Sequence, residues 1–82
     1  MEIQINAFLI DTHTDSHREV IEAVSELEET VHVDDDGRYN FCQECSRIYL
    51  ESSMSENELD QWLWKSGLEY IGVVETSLRN DY

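Results

Sequence analysis

The stretch DSHREVIEAVSELEETVHVDDD, residues 15–36, decides the fold, because a helical pattern gives way within it to a strand pattern. Apolar residues at helical spacing in its first half predict an amphipathic helix that runs to about Glu29. The stripe consists of Val20, Ile21, Val24 and Leu27. Ser16 and Glu19 have the spacing of a capping box at the start of this helix, and Asp15 is an alternative cap.

The second half of the stretch predicts a short strand in which Val31 and Val33 point inward. Asp36-Gly37 then predicts a hairpin turn, because glycine accepts the positive φ that tight hairpins need. We expect the chain to return as one long strand over residues 38–52. Fifteen residues is long for a strand, so a bulge or break is expected near Gln43–Cys45.

A first strand is predicted before this stretch, over residues 2–11, where apolar residues alternate. One face carries Ile3, Ile5, Ala7 and Leu9, and Phe8 and Ile10 add apolar weight to the other face. The pattern is typical of a half-buried strand.

A second helix follows the long strand and has complete start and stop signals. Ser55 and Glu58 form a capping box, and Gly67 is placed to end the helix. Its buried stripe is predicted to be Leu59, Trp62 and Leu63. A last strand is expected over residues 69–77, and the tail, residues 78–82, is expected to fray.

The predicted element order is therefore β-α-β-β-α-β, in a single domain over residues 1–82. With right-handed crossovers this order gives an α+β, ferredoxin-like fold: a four-stranded antiparallel sheet with two helices on one face. Many unrelated functions use this fold, so the fold alone assigns none.

The chain is strongly acidic, with 19 Asp and Glu against five Lys and Arg and a formal net charge of −14. Such a surface repels nucleic acids and anionic membranes and attracts basic partners. A halophile's acidic surface is an alternative explanation of the bias. We find no membrane-spanning run and no signal peptide, and the two closely spaced cysteines fit a reducing, cytoplasmic setting.

The most specific acidic feature is a row of glutamates on the side of the first helix opposite its apolar stripe. The row consists of Glu19, Glu22, Glu26 and Glu29, and it leads by sequence into Asp34, Asp35 and Asp36. Like charges about 5–6 Å apart destabilise a helix slightly, so local stability does not explain the row. The spacing approximates that of phosphates along a nucleic-acid strand. We therefore interpret these residues as a partner-binding surface, with an ordinary solvated helix face as the alternative.

Trp64 is a further candidate for partner binding. Helical geometry places it roughly 100° away from Leu63, so it either flanks the core or is exposed beside Asp60 and Asn57. An exposed tryptophan is typical of binding hot spots, whereas a tryptophan that covers the sheet edge is structural.

Two cysteines and two histidines suggest an alternative zinc site. Cys42 and Cys45 have C-x2-C spacing, and His13 and His17 lie where the first strand ends beside the start of the third. A Cys2His2 site is therefore compatible with the topology. His17 also continues the apolar stripe of the first helix, which favours a partly buried structural role instead.

No phosphate-binding loop, nucleophile elbow or metalloprotease motif occurs in the sequence, so we predict a non-enzymatic protein without a cofactor. In size and acidity the chain resembles the small phage-encoded inhibitors of host defence, the anti-CRISPR and anti-restriction proteins. This is a resemblance of class, and it covers no particular residue. It implies a nucleic-acid mimic that binds a basic nucleic-acid-handling protein in the host cytoplasm, without contacting nucleic acid or membrane. The alternatives are a small zinc-binding domain and a homodimeric structural subunit.

Overall fold

The computed structural model describes residues 4–38 and 45–79. The elements are β1 (Ile5–His13), a 3₁₀ turn (Thr14–Ser16), α1 (His17–Ser25), β2 (Thr30–Arg38), β3 (Cys45–Ser52), α2 (Glu56–Ser66) and β4 (Gly72–Arg79). The strands form one antiparallel sheet in the order β2-β3-β1-β4. The predicted α+β, ferredoxin-like arrangement is confirmed. No helix in the described part of the chain is long and apolar enough to cross a membrane.

Both helices pack on the same face of the sheet. On that face Phe8 pairs with Leu50 and Ile10 pairs with Ile48 across β1 and β3. All four side chains are fully buried with residues of both helices, namely Val20, Val24, Leu59 and Leu63. The helix-covered face of β1 is therefore the Phe8 and Ile10 face rather than the Ile5, Ala7 and Leu9 face. Ile5 and Ala7 are nevertheless also buried, so β1 is apolar on both sides.

Helix α1 ends four residues earlier than predicted, at Ser25. The cause is a side chain from the next strand: Thr30 Oγ1 donates to the Val24 carbonyl at 2.6 Å. The Leu27 amide also donates to that carbonyl, in a turn rather than a further helical bond. The predicted capping box at the helix start is wrong as well, because Ser16 makes no cap and its hydroxyl instead donates to the Glu69 carbonyl at 2.9 Å.

The region around Asp36-Gly37 is not a turn. Both residues lie inside β2, whose pairing with β3 shifts between Asp35 and Gly37. A second shift lies between Thr30 and His32, and Val31 within it is 55% exposed, so only Val33 points inward as predicted. The long strand was predicted to begin at Arg38, but Arg38 is the last residue of β2, and β3 begins at Cys45. Residues 39–44, with most of the expected bulge, lie outside the described residues.

Helix α2 matches its sequence signals. The Ser55 hydroxyl accepts from the Glu58 amide, and the Glu58 carboxylate accepts from the Ser55 amide, each at 3.2 Å. Gly67 ends the helix with a φ of 77°, the left-handed conformation that favours glycine. The strand after it begins later than predicted, at Gly72, and continues through Arg79 into the segment expected to fray; residues 80–82 lie outside the described part.

Candidate acidic interaction surface

Three of the four predicted glutamates keep their place on α1. Glu19 and Glu22 lie in the helix and Glu26 is its C-cap, and all three are exposed. Their spacing places them on the side opposite the buried Val20 and Val24. Glu29 is also exposed but lies beyond the helix, in the turn that leads to β2. The continuous four-residue row is therefore shortened to three.

The position of these carboxylates along α1 is electrostatically unfavourable. A helix C-terminus carries partial negative charge, and Glu26 sits there with no basic residue in the last turn. Glu22 lies four residues before it, which adds like-charge repulsion. Glu19 is different, because it lies in the first turn, where the helix dipole favours a carboxylate. Helix stability thus accounts for Glu19 and not for Glu26.

The predicted aspartates of β2 are divided between the two faces of the sheet. Asp35 points to the helix side of the sheet, where its Oδ1 lies 2.8 Å from His17 Nε2 on α1. Asp34 points to the opposite face, where its Oδ2 lies 2.7 Å from His32 Nε2. The alternation of a strand forces this split between neighbouring residues. The side chain of Asp36 lies outside the described part.

Two further carboxylates, Asp15 and Glu69, extend the acidic surface beyond the start of α1, although sequence analysis did not assign them to partner binding. Asp15, Glu19 and Glu69 line an open cavity of about 340 Å³ between the start of α1 and the turn after α2. The hydrogen bond from Ser16 to the Glu69 carbonyl ties the two segments together. Glu69 is fifty residues from Glu19 in sequence, and only the crossover topology brings them to the same end of the sheet.

Few basic groups offset this charge. Arg18 is the only arginine or lysine on α1. Arg47 is held on the face opposite the helices, where its Nε donates to Asp11 Oδ1 at 2.7 Å. On the same face Tyr49 donates to Glu51 at 2.6 Å, and the rings of Tyr49 and His32 meet edge to face. One of the five basic residues is therefore already paired inside the sheet and does not neutralise the helix surface.

Trp64 is exposed, and it lies away from the glutamates of α1. Its side chain is 79% accessible, and Asp60 is one helical turn before it. The Tyr70 hydroxyl donates to Asp60 Oδ1 at 2.9 Å, so this side of α2 faces the segment that enters β4. Helix α1 packs instead over β2 and β3. The predicted partner-binding residues therefore fall into two separate regions.

The pKa of Tyr70 is affected by its position between the core and Asp60. Burial raises the pKa of the Tyr70 hydroxyl above its usual 10.0, and the hydrogen bond to the Asp60 carboxylate raises it further. Both effects favour the protonated phenol, which is the form that donates to Asp60.

The predicted zinc ligands are only partly brought together. His13 and Cys45 are paired across β1 and β3, as the topology requires. His17 is engaged elsewhere: Nδ1 lies 3.1 Å from Thr12 Oγ1, and the buried Nε2 lies beside Asp35 without a well-aligned hydrogen bond. Cys42 lies outside the described residues. Within the described ranges, no three His, Cys, Asp or Glu side chains are grouped to hold a metal ion.

Comparison with known proteins gives no relative: no protein-family model, curated protein or solved structure shows significant similarity to this chain.

Proposed function

We propose that this chain is a small non-enzymatic interaction protein that binds a basic nucleic-acid-handling protein and inhibits it as a nucleic-acid mimic. The proposed contact is the α1 surface, defined as Glu19, Glu22 and Glu26 with Asp15 and Glu69 at its end. Such a protein would be of the anti-CRISPR or anti-restriction type and would act in the cytoplasm of a host cell.

The observation that supports this proposal most is the placement of Glu22 and Glu26. They are exposed, one helical turn apart and near the negative end of the helix, so the two carboxylates repel each other and interact unfavourably with the helix dipole. Residues that destabilise a fold locally are more common at functional sites than elsewhere. A row of carboxylates about one helical turn apart also offers a basic groove the spaced negative charge that phosphates provide.

Charge reversal on α1 tests this proposal. The probes are purified restriction endonucleases and CRISPR effector complexes, and binding of the chain is measured at several salt concentrations. We expect at least one complex to bind, with affinity that falls steeply as salt rises, because exposed ion pairs are screened. The double variant Glu22→Lys, Glu26→Lys should weaken binding by about 100-fold or more, since like charges then face each other across the interface.

The matched control is the double variant Glu56→Lys, Glu75→Lys, which changes net charge equally at exposed positions away from α1. It should weaken binding much less. Equal losses in the two double variants would mean that net charge alone matters, and no binding to any complex would remove the proposal's support.

A zinc-binding domain is kept as a second candidate because His13 and Cys45 are paired in the sheet register. The pair supplies two of the four predicted ligands.

A further inference from the structure

Trp64 is the most exposed large hydrophobic side chain in the described part of the chain, at 79%. Tryptophan with this exposure is uncommon on a monomer and is enriched where proteins bind one another. Ile71, also about half exposed at 48%, lies next to Tyr70 at the entry to β4. Neither Trp64 nor Ile71 belongs to the α1 surface, so the proposed contact through α1 does not explain why they are exposed.

An acidic side chain that is held by a hydrogen bond lies near Trp64 on α2. Asp60 lies one turn away on the same side of α2, and Tyr70 fixes its carboxylate by a hydrogen bond of 2.9 Å to Oδ1. A carboxylate has further acceptor capacity beyond that bond. Lys65 is on the next position of the helix, about 100° around from Trp64, and so does not share this side. An indole face therefore stands beside a fixed negative charge.

We propose that Trp64 and Asp60 bind one arginine side chain of the basic partner, with the guanidinium stacked on the indole and paired with the carboxylate. Arginine fits better than lysine because its planar group stacks on aromatic faces while it hydrogen-bonds in its own plane. A second copy of this chain fits worse, because each copy carries a net charge of −14 and would repel the other.

This inference rests on the proposed function, and it adds a second component to the mimicry. Proteins that bind unstacked nucleotides place arginine guanidinium groups against the faces of bases. The indole of Trp64 offers an arginine the same kind of aromatic face. In this arrangement the carboxylates of α1 stand in for phosphates, and Trp64 stands in for a base.

The test follows the two indole N–H signals by NMR while the intact chain is titrated with acetyl-Gly-Arg-Gly-Arg-Gly-amide. Trp64→Phe assigns the two signals. We expect the Trp64 signal to shift with saturation while the half-buried Trp62 signal moves little. Because Trp64→Ala removes an indole signal, the affinities of wild type and variants are compared through the backbone amide signals of residues 60–71. Trp64→Ala should weaken peptide binding there by about two- to fivefold, the range for a cation–π contact at an exposed site. Asp60→Asn should weaken it by a similar factor, because an exposed ion pair is lost. The matching lysine peptide should bind more weakly.

Controls separate this inference from the proposed function. Trp64 is exposed, so Trp64→Ala should keep the dispersed spectrum of the folded chain, and Trp64→Tyr should recover most of the affinity. In the Glu22→Gln, Glu26→Gln variant the Trp64 response should persist. An unmoved Trp64 signal, or equal affinity in wild type and Trp64→Ala, would overturn the arginine site even where the α1 surface binds its partner. A normal Trp64 response in a chain that binds no nucleic-acid-handling complex would overturn only the proposed function.

Discussion

Neutralising Glu26 should make this protein more stable, and neutralising Glu19 on the same helix should not. Both residues are exposed glutamates on α1, and each substitution to glutamine raises the net charge of the chain by one unit. The general repulsion of the −14 surface is therefore relieved equally in both variants. What differs is the local field, because Glu26 lies at the negative end of the helix and Glu19 at the positive end.

The magnitudes follow from those positions. Glu26→Gln removes an unfavourable interaction with the helix dipole, worth about 0.3–1 kcal/mol, and the i,i+4 repulsion from Glu22, worth about 0.2–0.5 kcal/mol. Glu19→Gln removes a favourable dipole interaction of similar size but also relieves repulsion from Glu22, so its two effects oppose each other. We expect Glu26→Gln to raise the free energy of unfolding by about 1 kcal/mol and Glu19→Gln to change it by less than about 0.5 kcal/mol in either direction.

Thermal unfolding followed by circular dichroism measures this difference. For a chain of this size 1 kcal/mol corresponds to about 4–8 °C in Tm. Urea titration of the same variants gives the free energies independently, and an unchanged denaturant slope shows that the unfolded state is not altered. A Tm for Glu26→Gln equal to or below that of Glu19→Gln would refute the claim that Glu26 destabilises α1. The case for the α1 surface would then lose its main support.

Three further predictions concern other parts of the fold. Ser55→Ala should lower the free energy of unfolding by about 0.5–2 kcal/mol, because the α2 capping box is lost; a chemical-denaturation curve identical to wild type would contradict this. The pKa of Tyr70 is raised on folding, so its contribution to stability is complete below pH 10.0 and is lost as pH rises through the higher folded value. Ultraviolet titration of the phenolates should accordingly show a group ionising above pH 10.0, and Tyr70→Phe should remove that step. Persistence of the step in the variant, which keeps three of the four tyrosines, would be inconsistent with the assignment. If the zinc alternative holds, protein purified without chelator carries one zinc per chain and loses it in the His13→Ala, Cys45→Ala variant; metal analysis that finds no zinc in wild type removes this alternative.

Local sequence signals predicted those elements whose ends are decided within a few residues. Helix α2 is the clearest case, because its cap at Ser55 and its end at Gly67 depend on side chains and backbone of the same segment. The strand order also followed from the element order, since short connections leave few ways to pack β-α-β-β-α-β.

The errors arose where a distant residue decides the structure. The end of α1 depends on Thr30 from the next strand, and the Ser16 hydroxyl bonds to Glu69 instead of capping the helix. Aspartates and glycine at residues 36–37 have turn propensity, yet pairing with β3 draws them into a strand with a shifted register. Local propensity is a weak guide in such positions because tertiary contacts override it.

In the candidate site, too, features set by nearby residues were predicted and features set by distant residues were not. Helical spacing alone correctly predicted that Glu19, Glu22 and Glu26 share one exposed side. Asp15 and Glu69 come together only through the crossover connections, and the separation of Asp34 from Asp35 depends on strand register. The sequence allowed Trp64 either to flank the core or to be exposed, because the outcome depends on how α2 is rotated on the sheet.

The most direct test of nucleic-acid mimicry is whether this chain and nucleic acid bind the same partner at the same time. The apparent dissociation constant of the chain for a restriction endonuclease or CRISPR effector complex is measured at increasing concentrations of that complex's own nucleic-acid substrate. Competition for one groove predicts that the apparent constant rises linearly with the substrate concentration, without saturation, and that no ternary complex forms. An apparent constant that levels off, or a complex containing all three components, would contradict the account.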